Sequence, residues 1–240
     1  GKTTTVGMTT AICQQAGMSA VACGNIGYPI EEALLDPNHP DVLVCELSSF
    51  QLHWAPSVKP LAGALLNIDE DHLDWHGSVE AYAADKARVL NGLYAIVGLD
   101  DPRAAAAGDE CSAQFVIGFR AGEPVRGQIG VHENGLFDNA FGPNDAARFL
   151  IECADIHPAG PAGVLDAGAA AALAMAAGAM PQDVNDALKD FVVAPHRNAV
   201  VTTIDGITYV DDSKATNPHA ARSSMPVSYT HLTLPTTPYV

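Results

Sequence analysis

Gly1-Lys2-Thr3-Thr4-Thr5 opens the chain and matches the second half of the pattern G-x-x-x-x-G-K-[ST]. In that pattern a loop and the helix after it turn their backbone N–H groups toward phosphates. Lys2 would reach the β- and γ-phosphates of a nucleotide, and the Thr3 hydroxyl would hold Mg²⁺. A helix-like run over 6–17 and an apolar run over 19–23 follow in the order that the motif requires. The sequence therefore predicts a nucleotide-binding P-loop, and the missing first half predicts a fragment of a longer protein.

The chain of 240 residues is strongly acidic, with a net charge of −16. This charge argues against nucleic acid as a partner, because surfaces that bind nucleic acid are basic. Its apolar runs are too short to span a bilayer, so we expect no membrane insertion. The five cysteines include no C-x-x-C pair, which favours free thiols in a reducing compartment such as the cytoplasm.

Apolar, strand-like runs alternate with helix-like ones through the first half of the chain. The strand-like runs are Val21–Cys23, Val42–Glu46, Leu61–Ile68, Ala95–Gly98 and Phe115–Phe119. A helix is predicted from Ser78 to Leu90, with the Ser78 side chain as its N-terminal cap. Continuous apolar strands that alternate with helices are typical of a mostly parallel sheet covered on both faces. The predicted fold class is therefore α/β.

The pattern changes after Gly122. Residues 129–137 predict a β-hairpin with Asn134-Gly135 at its turn. An Ala-rich helix is predicted from about Leu165 to Ala177, and a shorter one from Pro181 to Phe191.

A domain boundary is predicted at Pro195. Beyond it, runs at 200–204 and 207–210 flank Asp205-Gly206, which indicates a second hairpin. From about 223 the sequence is rich in Thr and Pro and has no helical period, so it is either a non-native read-through or a natural disordered tail. The predicted units are 1–194, the P-loop domain; 195–222, the beginning of another domain; and 223–240, a non-native or disordered tail.

Polar side chains follow two of the predicted strands. Glu46 ends one strand, and the next leads into the acidic, histidine-containing segment 69–76. Because ligands of open α/β sheets lie beyond the carboxyl ends of the strands, Glu46 is a candidate Mg²⁺ ligand, the alternative being a solvated strand-end carboxylate. His72 is a candidate ligand of a second metal. A zinc site from His72 and His76, spaced i, i+4, is the weaker alternative because no H-E-x-x-H motif is present.

Three further features carry charge. Lys86 lies within a predicted helix and by itself reads as a solvated lysine. The segment 195–197 offers the Arg197 guanidinium at the domain boundary, where an anion could be clamped. The segment 212–218 follows a strand and is rich in side chains that bind phosphate or Mg²⁺. The last two, both at the start of a second domain, suggest a site at a domain interface.

Six motifs, taken in order, resemble those of the Mur ligases. They are Gly1–Thr5, Gly24–Pro29, Glu46–Leu52, Asn67–Asp74, Pro195–Arg197 and Asp212–Pro218. Within the family, the strings 46–52 and 212–217 resemble those of the members that add D-glutamate. The resemblance covers about 1–222 and implies a P-loop central domain followed by the start of a C-terminal Rossmann-like domain.

The resemblance also implies an activity. Family members use ATP to phosphorylate a carboxylate, here that of UDP-N-acetylmuramoyl-L-alanine, and an amine, here that of D-glutamate, attacks the acyl phosphate. The implied cofactors are ATP and two Mg²⁺ ions. The implied setting is peptidoglycan synthesis in the bacterial cytoplasm, by a monomer.

Site residues are implied in the same way. Gly1, Lys2, Thr3 and Thr4 would hold the phosphates, with Thr3 and Glu46 on the first Mg²⁺. His72 and Lys86 would hold the second, with Lys86 carbamylated, and Lys2, His72 and Lys86 would be the catalytic residues. Asn25 would face the muramoyl substrate or its diphosphate. The residues reaching the nucleotide from the third domain would be Arg197, Asp212, Lys214 and Thr216.

One departure from the family pattern lies near the expected adenine site. Two asparagines of the family correspond here to the region of Gly163 and Asp166, so the adenine contacts cannot be carried over. Three alternative functions remain. Another Mur ligase or a folylpolyglutamate synthase would share the P-loop and the metal-binding histidine but not the string 46–52. A non-catalytic nucleotide-binding module would bind ATP without turnover, and a P-loop kinase or GTPase would be favoured by an NKxD motif, which the sequence lacks.

Overall fold

The computed structural model describes residues 1–143, 146–197 and 199–215. The helices are α1 Lys2–Gln15, α2 Ile30–Leu34, α3 Ser49–Trp54, α4 Leu73–His76, α5 Val79–Ala87, α6 Pro102–Glu110, α7 Pro161–Ala176 and α8 Pro181–Lys189. The strands are β1 Ala20–Gly24, β2 Val42–Glu46, β3 Ala62–Leu65, β4 Tyr94–Gly98, β5 Phe115–Phe119, β6 Gln128–His132, β7 Gly135–Asp138, β8 Arg148–Glu152, β9 Ala199–Ile204 and β10 Ile207–Asp211. Short 3₁₀ turns cover Arg88–Leu90 and Cys153–Asp155.

The strands form two sheets and a separate hairpin. β1 and β2 pair in parallel, ending with Gly24 opposite Glu46. β3 to β8 form a six-stranded sheet in chain order, parallel from β3 to β6 and antiparallel from β6 to β8. β9 and β10 pair with each other. The predicted α/β class with a mostly parallel sheet is confirmed.

A groove of about 1200 Å³ runs between β2 and β3. All of β2 (42–46) and the segment 61–67, which contains β3, line it, and side chains of α1 and α7 complete its walls. Within the described ranges, β2 pairs with β1 alone and β3 with β4 alone, so the edges of both strands border the groove. Strand edges therefore border the groove, and Lys2 and Glu46 are among the charged residues that line it.

The main core lies under α1 and α7, which pack against each other. α1 contributes the fully buried Met8 and Ile12, and α7 contributes a run of buried alanines, Ala169–Ala172. Small side chains let α7 lie close to α1 on one side and to β3–β6 on the other. Apolar packing of α1 on α7 thus holds the helix whose start carries the P-loop residues.

Most predicted elements are confirmed, and the errors are local. β2 and β5 have the predicted bounds, and the Ser78 hydroxyl caps α5 by accepting from the Ala81 N–H at 3.1 Å. The first hairpin turns at Glu133-Asn134 instead of Asn134-Gly135, because Gly135 already pairs with His132. Glu133 takes the left-handed conformation there, with φ 52°.

The second hairpin turns at Asp205-Gly206, as predicted, with φ of 52° and 79°. α7 begins four residues before the predicted start, with Pro161 in its first turn, where a missing N–H costs nothing. Within the described residues, none of the helices combines the length and apolar character that crossing a bilayer requires.

Candidate nucleotide and metal site

The site is built on the N-terminus of α1. Gly1 is the N-cap residue and Lys2 the first helical residue, and both line the groove. The first N–H groups of a helix have no partner within the helix, and here they lie beside the groove. A helix N-terminus also carries partial positive charge, and anions bind there. Lys2 and Thr4 line the groove between β2 and β3, and this whole groove is called the cleft below. The cleft thus offers a phosphate-binding helix terminus with a lysine beside it.

The carboxylate of Glu46 lies directly beside the P-loop. The Thr3 hydroxyl donates to Glu46 Oε2 at 2.7 Å, and Asn25 Nδ2 donates to Oε1 at 3.2 Å. Glu46 is 5% exposed, so these partners compensate for most of the water that it has lost. The sequence-based placement of Glu46 next to the P-loop is what the structure shows.

Gly24 makes this close approach possible. Its φ is +103°, and a Cβ at this position would overlap the carbonyl oxygen of Glu46. The next residue, Asn25, donates its backbone N–H to that carbonyl at 2.7 Å. Asn25 therefore contacts Glu46 from both backbone and side chain.

Arg197 reaches the P-loop from beyond the predicted domain boundary. Its Nη2 donates to the Thr3 hydroxyl at 2.8 Å, so this hydroxyl accepts from a guanidinium and donates to a carboxylate. Asp212 and Lys214 also line the cleft. Thr216 lies outside the described residues.

Lys86 lines the cleft from α5. Its Nζ donates to the Asn67 carbonyl at 3.1 Å and to the Tyr82 hydroxyl at 3.3 Å. Burial, and secondarily the positive charge of Lys2, lowers the pKa of Lys86 to about 8, against the opposing effect of nearby aspartates. A larger share of this amine is therefore neutral near physiological pH than is usual for lysine.

His72 is placed differently from the other predicted metal ligands. It precedes α4 in the left-handed conformation, with φ 52°. Its ring packs against Phe50 at 4.9 Å between centroids, and its Nδ1 lies 3.6 Å from Asp71 Oδ1. Of the predicted metal ligands, Glu46 and Lys86 are among the described residues that line the cleft, whereas Thr3 and His72 are not.

The zinc alternative is not supported. His76 Nδ1 lies 3.0 Å from Asp85 Oδ2 and its Nε2 lies 3.0 Å from Ser49 Oγ, so both ring nitrogens have protein partners. Within the part of the chain that the structure describes, no group of three or more His, Cys, Asp or Glu could hold a metal ion. Sequence reasoning did not identify Asp85 as a residue of the site. Its position next to Lys86 in the sequence was the signal that could have pointed to it.

The departure around Gly163 and Asp166 has a structural reason. A side chain at Gly163 would overlap the Pro158 carbonyl, so no asparagine fits there. Asp166 is buried against the start of α1, where it contacts the main-chain nitrogen of Gly1 and accepts from the Thr5 hydroxyl at 3.2 Å. Burial raises the pKa of Asp166. This part of α7 therefore supports the P-loop.

The cleft has the chemistry that a Mg²⁺–nucleotide complex requires. Mg²⁺ in such sites takes one or two protein oxygens and completes its shell with water and phosphate oxygens. The Thr3 hydroxyl and Glu46 carboxylate, 2.7 Å apart, supply that pair. Lys2 and Arg197 supply positive charge for the phosphates around it.

Comparison with known proteins agrees with this geometry. The family model "Mur ligase middle domain" matches residues 1–142. The chain belongs to the Mur ligase family.

Curated Mur ligases extend the match over most of the chain. A UDP-N-acetylmuramoylalanine--D-glutamate ligase from Nocardia farcinica is 56% identical over 225 residues, which is 94% of this chain and 46% of that relative. The ligase of the same name from Mycolicibacterium smegmatis is 53% identical over 225 residues, covering 94% of this chain and 45% of its own length. The chain spans about half the length of the curated relatives it matches.

Solved Mur ligases share the fold. MurF from Acinetobacter baumannii superposes with a TM-score of 0.75 at 22% identity, over 95% of this chain and 51% of that one. MurF ligase from Thermotoga maritima, solved in complex with ADP, gives 0.67 at 18% identity, over 95% and 54%. At these identities the likeness shows the Mur ligase architecture of the chain.

Proposed function

We propose that the chain is the central part of an ATP-dependent ligase that joins D-glutamate to UDP-N-acetylmuramoyl-L-alanine. The observation that carries the proposal is the Thr3 hydroxyl, held between the Glu46 carboxylate and the Arg197 guanidinium at the start of α1. This arrangement suits a metal-bound triphosphate. The choice of D-glutamate rests on the names of relatives that are 53% and 56% identical.

The residues fit acyl-phosphate chemistry. A carboxylate is a poor electrophile, and transfer of the ATP γ-phosphoryl group to its oxygen provides a leaving group. The amine of D-glutamate then attacks the carbonyl carbon, forms the amide and expels phosphate. Lys2 and Arg197 would stabilise negative charge on the transferring phosphoryl group. Thr3 and Glu46 would hold the first Mg²⁺, which neutralises the phosphates when bound.

Lys86 is proposed to be carbamylated. A cation cannot bind to an ammonium, but a neutral amine can attack CO₂, forming an N–C bond and releasing one proton. The lowered pKa of about 8 makes the neutral form more available, and the product carries a negative charge. The carbamate and His72 would then hold the second Mg²⁺.

The remaining predicted contacts belong to the same proposal. Asp212, Lys214 and Thr216 would approach the nucleotide from the C-terminal domain, and Asn25 would orient Glu46 beside the muramoyl substrate. The domain limits 1–194 and 195–222, and a non-native or disordered tail at 223–240, remain predictions. The ADP bound to the Thermotoga maritima relative supports the nucleotide assignment.

We further propose that the enzyme acts as a monomer in the bacterial cytoplasm. All five cysteines are free, and Cys23 Sγ lies 3.4 Å from Cys45 Sγ without a disulfide. Burial, together with Cys23, raises the pKa of Cys45 to about 12, which suppresses the reactive thiolate. These features suit a reducing compartment.

A chimera tests the function. Residues 1–222 replace the corresponding segment of the Nocardia farcinica relative, and phosphate release from ATP is followed with UDP-N-acetylmuramoyl-L-alanine and either D- or L-glutamate. Release that requires the nucleotide sugar and D-glutamate supports the proposal. ATP binding without release, while the unaltered relative turns over in parallel, would instead support the nucleotide-binding module.

A further inference from the structure

A buried carboxylate lies next to Lys86 on α5. The Asp85 side chain is 7% exposed and has three charged or ionisable neighbours. His53 Nδ1 lies 2.9 Å and His76 Nδ1 3.0 Å from its Oδ2, and Arg88 Nη2 lies 3.2 Å from its Oδ1. Because an ionised carboxylate only accepts hydrogen bonds, both Nδ1 atoms carry a proton. One carboxylate thus accepts from two histidines and forms an ion pair with an arginine.

The chain of hydrogen bonds continues to Ser49. In neutral His76 the protonated Nδ1 leaves Nε2 as an acceptor, and the Ser49 hydroxyl lies 3.0 Å away. The order Ser–His–Asp is that of a hydrolase triad, but its geometry here does not serve nucleophilic attack. Ser49 is buried, and it is not among the described residues that line the cleft. Its role is therefore structural.

These contacts join α5, which carries Lys86, to α4, which follows His72, and to α3, which follows the strand that ends at Glu46. Ser49 and His53 lie on α3, which follows Glu46, and His76 lies on α4, which follows His72. Asp85 lies on α5, one residue before Lys86.

An aromatic contact extends the connection to His72. The Phe50 ring stacks on His76 at 5.4 Å and also packs on His72 at 4.9 Å. Tyr82 contacts the His76 ring at 5.1 Å and accepts from Lys86 Nζ. A shift of His76 would therefore be transmitted to His72 through Phe50 and to Lys86 through Tyr82.

We propose that Asp85 is a positioning residue that holds His72 and Lys86 in place for the second Mg²⁺. This inference rests on the proposed function. Asp85 does not line the cleft within the described ranges, so it acts through its hydrogen-bonded neighbours. Substitution of a residue that orients a metal ligand without touching the metal commonly lowers the metal affinity.

The substitution Asp85→Asn tests the proposal in the chimera. The amide keeps the side-chain shape but turns an N–H₂ group toward at least one of the existing donors. Because Asp85 reaches His72 and Lys86 through His76, Phe50 and Tyr82, we expect the Mg²⁺ concentration for half-maximal phosphate release to rise severalfold, less than the roughly tenfold or more typical of a residue bonded directly to a metal ligand. The KM for D-glutamate should change little, because no contact to that substrate is altered.

Asp138→Asn is the matched control. Asp138 is likewise a buried aspartate paired with an arginine, whose Nε donates to it at 2.9 Å, but it ends β7 and is not among the described residues that line the cleft. This variant should lose stability while keeping the wild-type Mg²⁺ dependence. Wild-type Mg²⁺ dependence in folded Asp85→Asn, or equal changes in both variants, would overturn the proposal.

Two further measurements cover the other outcomes. If Asp85→Asn does not fold, His53→Gln takes its place, and a raised Mg²⁺ requirement supports the proposal whereas an unchanged one overturns it. If the wild-type chimera releases no phosphate, the proposed function fails, and Asp85 is judged by Mn²⁺ binding with a non-hydrolysable ATP analogue, followed by electron paramagnetic resonance. Tighter Mn²⁺ binding by wild type than by Asp85→Asn supports positioning, and equal binding overturns it.

Discussion

The α1–β2 side of the cleft has its predicted ligands in contact with one another, whereas the α4–α5 side does not. Thr3 and Glu46 are hydrogen-bonded at 2.7 Å, and Arg197 reaches the same hydroxyl. On the other side, Lys86 bonds to the Asn67 carbonyl and Tyr82, while His72 packs on Phe50. On the first side, the proposed Mg²⁺ would find oxygen ligands that are already in contact with one another. On the second, the proposed carbamate would have to replace the ammonium charge of Lys86 before a cation could bind.

Lys86→Ala gives the sharpest test of this contrast and the largest expected effect. Without an amine, no carbamate forms, and turnover of the chimera should fall about 100-fold. Short carboxylates such as acetate should restore part of the activity by entering the space left by the side chain. Lys189→Ala, on α8 outside the cleft lining, is the control and should behave as wild type. Full activity in Lys86→Ala would show that the second side needs no carbamate.

Glu46→Ala tests the preformed side. Removal of the carboxylate leaves the Thr3 hydroxyl without its acceptor and the first Mg²⁺ without its protein anion. We expect Mg²⁺-dependent turnover to fall at least tenfold, a loss of about 1.4 kcal/mol or more in transition-state stabilisation. Titration with Mg²⁺ measures the effect. An unchanged Mg²⁺ dependence would make Glu46 a bystander.

Asn25→Ala measures how much the position of the Glu46 carboxylate depends on the hydrogen bond from the Asn25 side chain. One hydrogen bond to Glu46 Oε1, at 3.2 Å, is lost, while the backbone bond from Asn25 remains. A single hydrogen bond contributes about 1 kcal/mol, so we expect roughly a fivefold rise in the Mg²⁺ requirement. A loss as large as that of Glu46→Ala would mean that Asn25 itself contacts a ligand.

The pH dependence of Lys86 reactivity is the mildest test. Only the neutral amine reacts with acetic anhydride. Labelling of Lys86 should therefore rise around pH 8, whereas labelling of an ordinary lysine rises around its usual pKa of 10.5. Competitive labelling in CO₂-free buffer, read by mass spectrometry, measures this midpoint. Added bicarbonate should slow the labelling of Lys86 by occupying the amine. A midpoint near 10.5 would remove the physical basis for easy carbamylation.

Local sequence patterns predicted the strands because their ends coincide with changes in polarity. The strand Val42–Glu46 ends with the carboxylate of Glu46, and the strand Phe115–Phe119 ends just before the charged Arg120. Both strands have these bounds in the structure. The Asn134-Gly135 turn was wrong, since pairing of His132 with Gly135 moved the turn by one residue. Register is decided by the partner strand and cannot be read from the turn residues alone.

Long-range contacts of the site were beyond reach of the sequence. The carboxylate of Asp166 meets the Thr5 hydroxyl across 161 positions, and that of Asp85 meets His53 across 32. The sequence singles out Asp166 only as a departure from the family pattern and Asp85 not at all, so neither contact could be predicted. The motif-bearing residues Thr3, Glu46 and Arg197 could be predicted because their residue types are suited to phosphate and Mg²⁺.

The groove between β2 and β3 has a consequence for anyone who prepares the 240-residue chain. Edge strands that face open space are templates for β-augmentation, in which a foreign extended segment docks through main-chain hydrogen bonds. Here the edges of β2 and β3 border a single groove, so an extended segment could bond to either strand. In concentrated solution the chain should self-associate or capture extended peptides. A donor strand supplied in trans is therefore a rational additive for keeping it dispersed.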